Sequence, residues 1–338
     1  MTISRRKGEH LRIAVKKDVG FKDKKTGFEK YDFTHCALPE LDLDEVKTEI
    51  RFLGRRLHFP LMVSAMTGGC ADAAKINRQL AEVCRDEKVG LGVGSQRQIL
   101  ESSDHVDTFR IVRQLMPGGL IVGNIGAAQV SRGELDTVQG MIDLIEADAM
   151  AVHLNPLHEA LQPQGEPNFK NVLDGLERLV RKVEVPIIVK EIGCGISEEV
   201  ARQLKGVGVH IIDIAGAGGT SWAAIESYRC TDKYLAGQFR EWGIPTALSL
   251  EQVSRVDDIQ IIASGGIDSG MVMAKALALG AACCGAALPI LRILKKRKPE
   301  GLRRMMQEWK NELKTVMFLT GSRTVRDLRN RGVIYETL

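Results

Sequence analysis

No uncharged stretch of the 338-residue chain approaches the roughly 20 apolar residues that a membrane-spanning helix needs. The basic N-terminus, MTISRRKGEHLRIAVKKDVG, also lacks the apolar core of a secretory leader, so the sequence predicts a cytoplasmic protein with no membrane partner. The seven cysteines never fall into CxxC pairs, and Cys283 and Cys284 are adjacent, which excludes the common zinc frameworks and predicts reduced thiols. Charge of one sign is scarce too. With 47 basic and 43 acidic residues the net charge of +4 is too small to argue for nucleic acid, and the densest basic run, LKKRKPEGLRR, reads as a solvated face. Low-complexity tracts and a GxGxxG turn are both missing; the turn after the first apolar run reads SAMTGGCAD, which speaks against an open dinucleotide-binding sheet.

What the chain does have is repetition. After about 58 residues of mixed character, eight short apolar runs recur: PLMVSAM, VGLGVG, GLIVGNIG, DAMAVHLN, PIIVKEIG, VHIIDIAGAGG, IQIIASGGI and AACCGAALP. Between them lie patterns with apolar residues at three- and four-residue spacing, such as DAAKINRQLAEVCRDE, ELDTVQGMIDLIEA, NVLDGLERLVRKV, SEEVARQLKGVG and SGMVMAKALALGA. Continuously apolar strands alternating with helices imply a parallel sheet covered on its outside. Eight such units predict an α/β fold, a (β/α)8 TIM barrel over residues 59–338 with an N-terminal extension over 1–58, one domain overall. The stretch from Gly216 to Ser249 is long for one connection and is expected to carry a functional loop over the barrel mouth.

In such a barrel the working residues lie at the C-terminal ends of the strands. Small residues after strands seven and eight, Gly265, Gly266, Gly285 and Ala286, let backbone N–H groups approach a phosphate, and Thr220 adds a hydroxyl; plain tight turns are the competing reading. Lys190 ends an otherwise apolar strand, so its ammonium needs an electron-rich ligand or a structural partner such as Glu191. Thr67, Ser95 and Asn124 on neighbouring strands suit a polar heterocycle. Arg6, Lys7 and Arg97 offer the charge that a diphosphate requires, although Arg6 and Lys7 also read as a solvated terminus. Strand four delivers His153, Asn155, His158 and Glu159 within seven residues: a hard carboxylate for Mg²⁺ and groups that titrate near neutral pH. The spacing is not HExxH, and Pro156 is expected to disrupt a helix just there, so zinc is not predicted.

RRKGEH, SAMTGG, GSQR, VGNIGA, HLNPLHEALQPQG, VKEIGCGIS, AGAGGTSWAAIE, GIPTALSL, ASGGI and AKALALGA, in this order along nearly the whole chain, resemble the type 2 isopentenyl diphosphate isomerases. The resemblance implies an FMN-dependent barrel that isomerises isopentenyl diphosphate to dimethylallyl diphosphate in isoprene biosynthesis. It implies no net redox change, flavin kept reduced by NADPH, and Mg²⁺ on the diphosphate. It puts flavin contacts on Ala65, Met66, Thr67, Ser95, Asn124, Lys190, Thr220, Gly265, Gly266, Gly285 and Ala286. Substrate contacts fall on Arg6, Lys7, Ser95, Gln96, Arg97, His153, Asn155 and His158, the metal on Glu159, and catalytic roles on His153 and His158. A homo-oligomer, tetramer or octamer, is implied as well. One position departs: the family usually reads HLNxxQE, and His158 stands where the glutamine would be. A histidine titrates where glutamine does not, which leaves open unaltered chemistry with a new pH dependence, a slower isomerase, or another prenyl or allylic substrate. The runner-up is an FMN oxidoreductase of the 2-hydroxyacid oxidase kind, and a third possibility is a non-catalytic flavin-binding scaffold.

Overall fold

A computed structural model describes residues 3–70, 72–100, 104–230 and 232–337. Each of the eight apolar runs contributes one strand: β1 (Leu61–Val63), β2 (Gly90–Gly92), β3 (Ile121–Gly126), β4 (Ala149–His153), β5 (Ile187–Lys190), β6 (Ile211–Asp213), β7 (Gln260–Ser264) and β8 (Cys283–Ala286). They close in sequence order into a barrel whose neighbouring strands are all parallel. The five helical patterns form helices at Ala73–Glu87, Leu135–Ile145, Val172–Lys182, Glu198–Gly206 and Gly270–Ala278. Ser197 and Ser269 cap two of them, accepting from Val200 N and Val272 N.

Side chains two apart on a strand share a face, and this sorts the barrel interior into layers. Met62, Val122, Ala151, Ile188, Ile211, Ile262 and Cys283 form one apolar cluster inside the strands. One step further along each strand, the same inward face carries Ser64, Asn124, His153, Lys190, Asp213, Ser264 and Gly285. The apolar layer is sealed from below by the extension: a hairpin of Ile50–Phe52 and Arg55–Leu57 packs Phe52 and Leu57 into the cluster. The opposite, C-terminal mouth is bordered by a helix, Ile3–Lys16, so the described part of the extension attends both ends of the barrel.

One local expectation needs correction. Pro156 does not disrupt a helix; it begins one, Pro156–Leu161, at a first-turn position where a missing N–H costs nothing. The stretch from Gly216 carries helices at Trp222–Glu226 and Lys233–Gln238 before Thr246–Ser254, and its Gly216, Gly218, Gly219 and Thr220 border the mouth.

Because the hairpin supplies the floor of the apolar layer, Phe52→Ala is expected to lower stability by about 3–5 kcal/mol in chemical denaturation while leaving ligand affinity at the far mouth unchanged. A loss below about 1 kcal/mol would mean that the plug is dispensable.

Candidate active site

A cavity of about 980 Å³ opens at the C-terminal mouth. Of the residues expected to form a site, all but one border it. The exception is Gln96, which is fully buried: its Oε1 accepts from Asn124 N (3.1 Å) and its Nε2 donates to Met141 O (3.0 Å). With both amide ends spent bracing β3, it is not a substrate contact.

On the floor, Lys190 does not pair with the Glu191 carboxylate. Its Nζ donates to the Glu191 backbone carbonyl and lies 3.7 Å from Asp213 Oδ2 on the neighbouring strand, where the two residues are in register. Asp213 Oδ1 in turn accepts from Ser264 Oγ (2.5 Å). Glu191 turns away, its Oε2 accepting from the backbone N–H groups of Ile192, Gly193 and Cys194, and burial pushes its pKa up to about 7. Next to Lys190, His153 Nδ1 meets Asn124 Oδ1 at 2.9 Å. Burial, and then the Lys190 charge, push the pKa of His153 down to about 3, so its ring is neutral at pH 7.

Across the mouth, Gly265 and Gly266 have φ of 97° and 75°, and a Cβ on Gly265 would come within 2.1 Å of Gly216 O. Only glycine fits there, leaving bare backbone facing the cavity, as a phosphate cradle needs.

The wall carries the charges. Lys7 Nζ donates to Ser95 O (2.5 Å), drawing the N-terminal helix onto the strand ends. Arg97 is ion-paired with Glu166, which also holds Arg132 at 2.8 Å. Half-buried Arg6 has no ion pair or hydrogen bond among the described residues. Its pKa is lowered by burial and then by Arg97, against the pull of Glu159 and Glu226, so Arg6 is a partly buried cation with no carboxylate in bonding contact. Opposite, burial would raise the pKa of Glu159, but hydrogen bonds from Glu166 N (2.7 Å), Asn155 Nδ2 (2.8 Å) and Gln162, with the nearby His158, hold it below its ordinary value.

Sequence reading missed a buried cluster beside these groups. Glu226 Oε1 lies 2.6 Å from His10 Nε2 and 3.0 Å from His158 Nε2, and Oε2 accepts from Arg229 Nη1 at 2.7 Å. Trp222 stacks at a tilt on His158, ring centroids 4.5 Å apart. Burial would raise the Glu226 pKa, yet His10 and His158 hold it well below the usual carboxylate range. Burial in turn pushes His10 down to about 4 against the pull of Glu226. The available signals were spacing: His10 lies four residues after Arg6 on one helix, and Glu226 four after Trp222 on another.

His10, His158 and Glu226 offer donor atoms within 4.8 Å of one another, a set that suits a transition metal. The surrounding bonds oppose that use. Asn155 Nδ2 donates to Glu159, so the same nitrogen faces His158 Nδ1 at 3.4 Å. That arrangement puts the His158 proton on Nε2, and a protonated nitrogen cannot ligate. Both ring nitrogens are thereby committed, one accepting from Asn155 and one donating to Glu226.

Five buried side-chain polar atoms have no partner among the described residues, and three of them, Ser64 Oγ, Gln129 Nε2 and Gln162 Oε1, belong to residues bordering the cavity. Unmet hydrogen bonds gathered at one place mark a site for a polar ligand. A polar floor carrying the Lys190–Asp213 ion pair, a bare backbone cradle and a cationic wall together fit a flavin phosphate and a diphosphate.

A family model described as FMN-dependent dehydrogenase matches residues 129–335. The chain is 43% identical to the isopentenyl-diphosphate delta-isomerase of Pyrococcus abyssi, over 96% of this chain and 90% of that protein. It is 44% identical to the enzyme of the same name from Methanothrix thermoacetophila, over 99% and 94%. Among solved structures, mandelate oxidase bound to (S)-2-phenylpropionate superposes with a TM-score of 0.68 at 19% identity, over 99% of this chain and 96% of that one, a likeness of fold.

The depressed histidines make stability depend on pH. In the fold His10 and His153 stay neutral down to about 4 and 3, whereas in the unfolded chain they take up protons below about 6.5. Acidification from pH 7 to pH 5 is therefore expected to remove about 1–2 kcal/mol for each histidine, while buried Glu191, whose folded pKa of about 7 lies above its unfolded value, takes up a proton in the fold and returns a similar amount, so the net loss is about 1–2 kcal/mol. Urea unfolding at the two pH values should show the loss, and His10→Gln should shrink it; an equal loss in that variant would contradict the assignment.

Proposed function

The chain belongs to the type 2, FMN-dependent isopentenyl-diphosphate delta-isomerases and is an isomerase, and from that premise we propose that it converts isopentenyl diphosphate to dimethylallyl diphosphate. The observation that carries the reading is the unpartnered Arg6 guanidinium, set beside Arg97 on the wall of a cavity whose polar floor holds the Lys190–Asp213 ion pair.

On this reading Ala65, Met66, Thr67, Ser95 and Asn124 hold the flavin ring, and Gly265, Gly266, Gly285, Ala286 and Thr220 hold its phosphate. Bound and reduced, FMN would supply the acid/base group for proton gain at C4 and proton loss at C2. Lys190, anchored by Asp213, places a positive charge against the electron-rich ring. Arg6, Lys7 and Arg97 grip the diphosphate, and neutral His153 with Asn155 adds hydrogen bonds to it. Glu159, ionised by its three N–H donors, holds Mg²⁺ shared with the diphosphate. Trp222 walls the apolar end and excludes water from the carbons. NADPH is the proposed source of reducing equivalents. A homo-oligomer, tetramer or octamer, is part of the reading, and the exposed Tyr234, Leu235 and Trp242 offer apolar surface for self-association without setting its size.

His158 keeps the chemistry of the glutamine it replaces. A carboxamide offers one donating and one accepting end, and so does this imidazole, donating to Glu226 and accepting from Asn155. It positions Glu226 and the wall, and it is not the acid or base.

An anaerobic assay in D₂O with FMN, dithionite, Mg²⁺ and isopentenyl diphosphate tests the proposal: dimethylallyl diphosphate is expected by NMR only with reduced flavin. No product and no deuterium exchange despite bound FMN would reject it. In the same assay His158→Gln should keep nearly the parent rate and pH profile. If His158 moved the proton itself, that substitution would cost about 10²–10⁴-fold.

A further inference from the structure

We propose that Gln162 is a second binding group for the divalent cation, offering its Oε1 to the cation's coordination shell beside Glu159; this rests on the magnesium reading of Glu159. Gln162 follows the helix Pro156–Leu161 and is 6% exposed. Its Nε2 donates to Glu159 Oε2, which settles the orientation of the amide, since the flipped form would set oxygen against carboxylate oxygen. Oε1 is then left buried with no donor among the described residues.

The sign of the unmet atom identifies the missing ligand. A buried acceptor beside an ionised carboxylate gains nothing from a phosphate oxygen; it needs a donor or a cation, and a cation or its bound water would satisfy Oε1 and the Glu159 carboxylate together. Glu159 needs the help. Its two oxygens offer about four lone-pair sites, and Asn155 Nδ2, Gln162 Nε2 and Glu166 N occupy three. One site remains, enough for a single bond to Mg²⁺, an ion that otherwise keeps its waters and so needs outer acceptors. The loop is also held firmly enough to present one. Gln162 N donates to His158 O (2.9 Å), and the chain passes so near the helix that a Cβ on Gly165 would lie 1.9 Å from Glu159 O.

The test uses oxidised holoenzyme, in which the proposed function expects no turnover, with isopentenyl diphosphate and Mn²⁺ read by EPR. Gln162→Leu is expected to weaken Mn²⁺ binding by about tenfold or more, and Gln162→Glu, which keeps acceptors but loses the donor, to bind as tightly as the parent or more so. Unchanged binding in the leucine variant would overturn the proposal, leaving Oε1 to an ordered water alone. A glutamate variant as weak as the leucine one would overturn it too, by making the donor to Glu159 the group that matters. If the parent protein with isopentenyl diphosphate bound no Mn²⁺, the magnesium reading itself would fall. Flavin absorbance and thermal midpoint report whether each variant is folded.

Discussion

The site depends on the two-residue repeat of the β-strand. Every barrel strand that turns an aliphatic or sulfur side chain inward at one position turns its next inward residue toward the mouth, and there the chain switches to Ser64, Asn124, His153, Lys190, Asp213, Ser264 and Gly285. The apolar layer beneath excludes water and fixes the strands; the layer above inherits that rigidity. A single ammonium on this floor is tolerable because Asp213 on the adjacent strand sits in register with it. Burial keeps His153 neutral beside it, so the floor remains a place for a polar ring and not for a second ion.

The wall solves the opposite problem, the gathering of charge. The N-terminal helix brings Arg6 and Lys7 against Arg97, while Glu159 is kept ionised by N–H donors from its own helix and the loop after it. The two halves meet through a chain of hydrogen bonds from Glu159 to Asn155, His158, Glu226 and His10. That chain assigns the protons, which is why a cluster with the composition of a metal centre behaves as an ion-paired strut and why a histidine can stand where the family has glutamine.

The barrel was legible from sequence because its signal is cumulative: eight apolar runs at helix-permitting intervals leave few other closures, and each became a strand. The strand-end residues were legible for the same reason, since knowing where DAMAVHLN emerges locates His153 and Asn155. Gln96 was misplaced because adjacency in a motif does not say which way a side chain turns, and in a short 3₁₀ segment it turned inward to brace β3. Pro156 was misread because proline ends helices but also starts them. Asp213 and Glu226 went unnoticed because their meaning is pairwise: an acid in an apolar strand becomes informative only when Lys190 is found opposite, and Glu226 only when two histidines from distant elements converge on it.

The most direct measurement is a crystal structure of the anaerobically reduced protein with FMN and isopentenyl diphosphate. The flavin ring should lie over Lys190 and Asn124, with its phosphate against Gly265 and Gly266 and the substrate diphosphate against Arg6 and Arg97. A diphosphate bound elsewhere, with Arg6 still without a partner, would contradict the account.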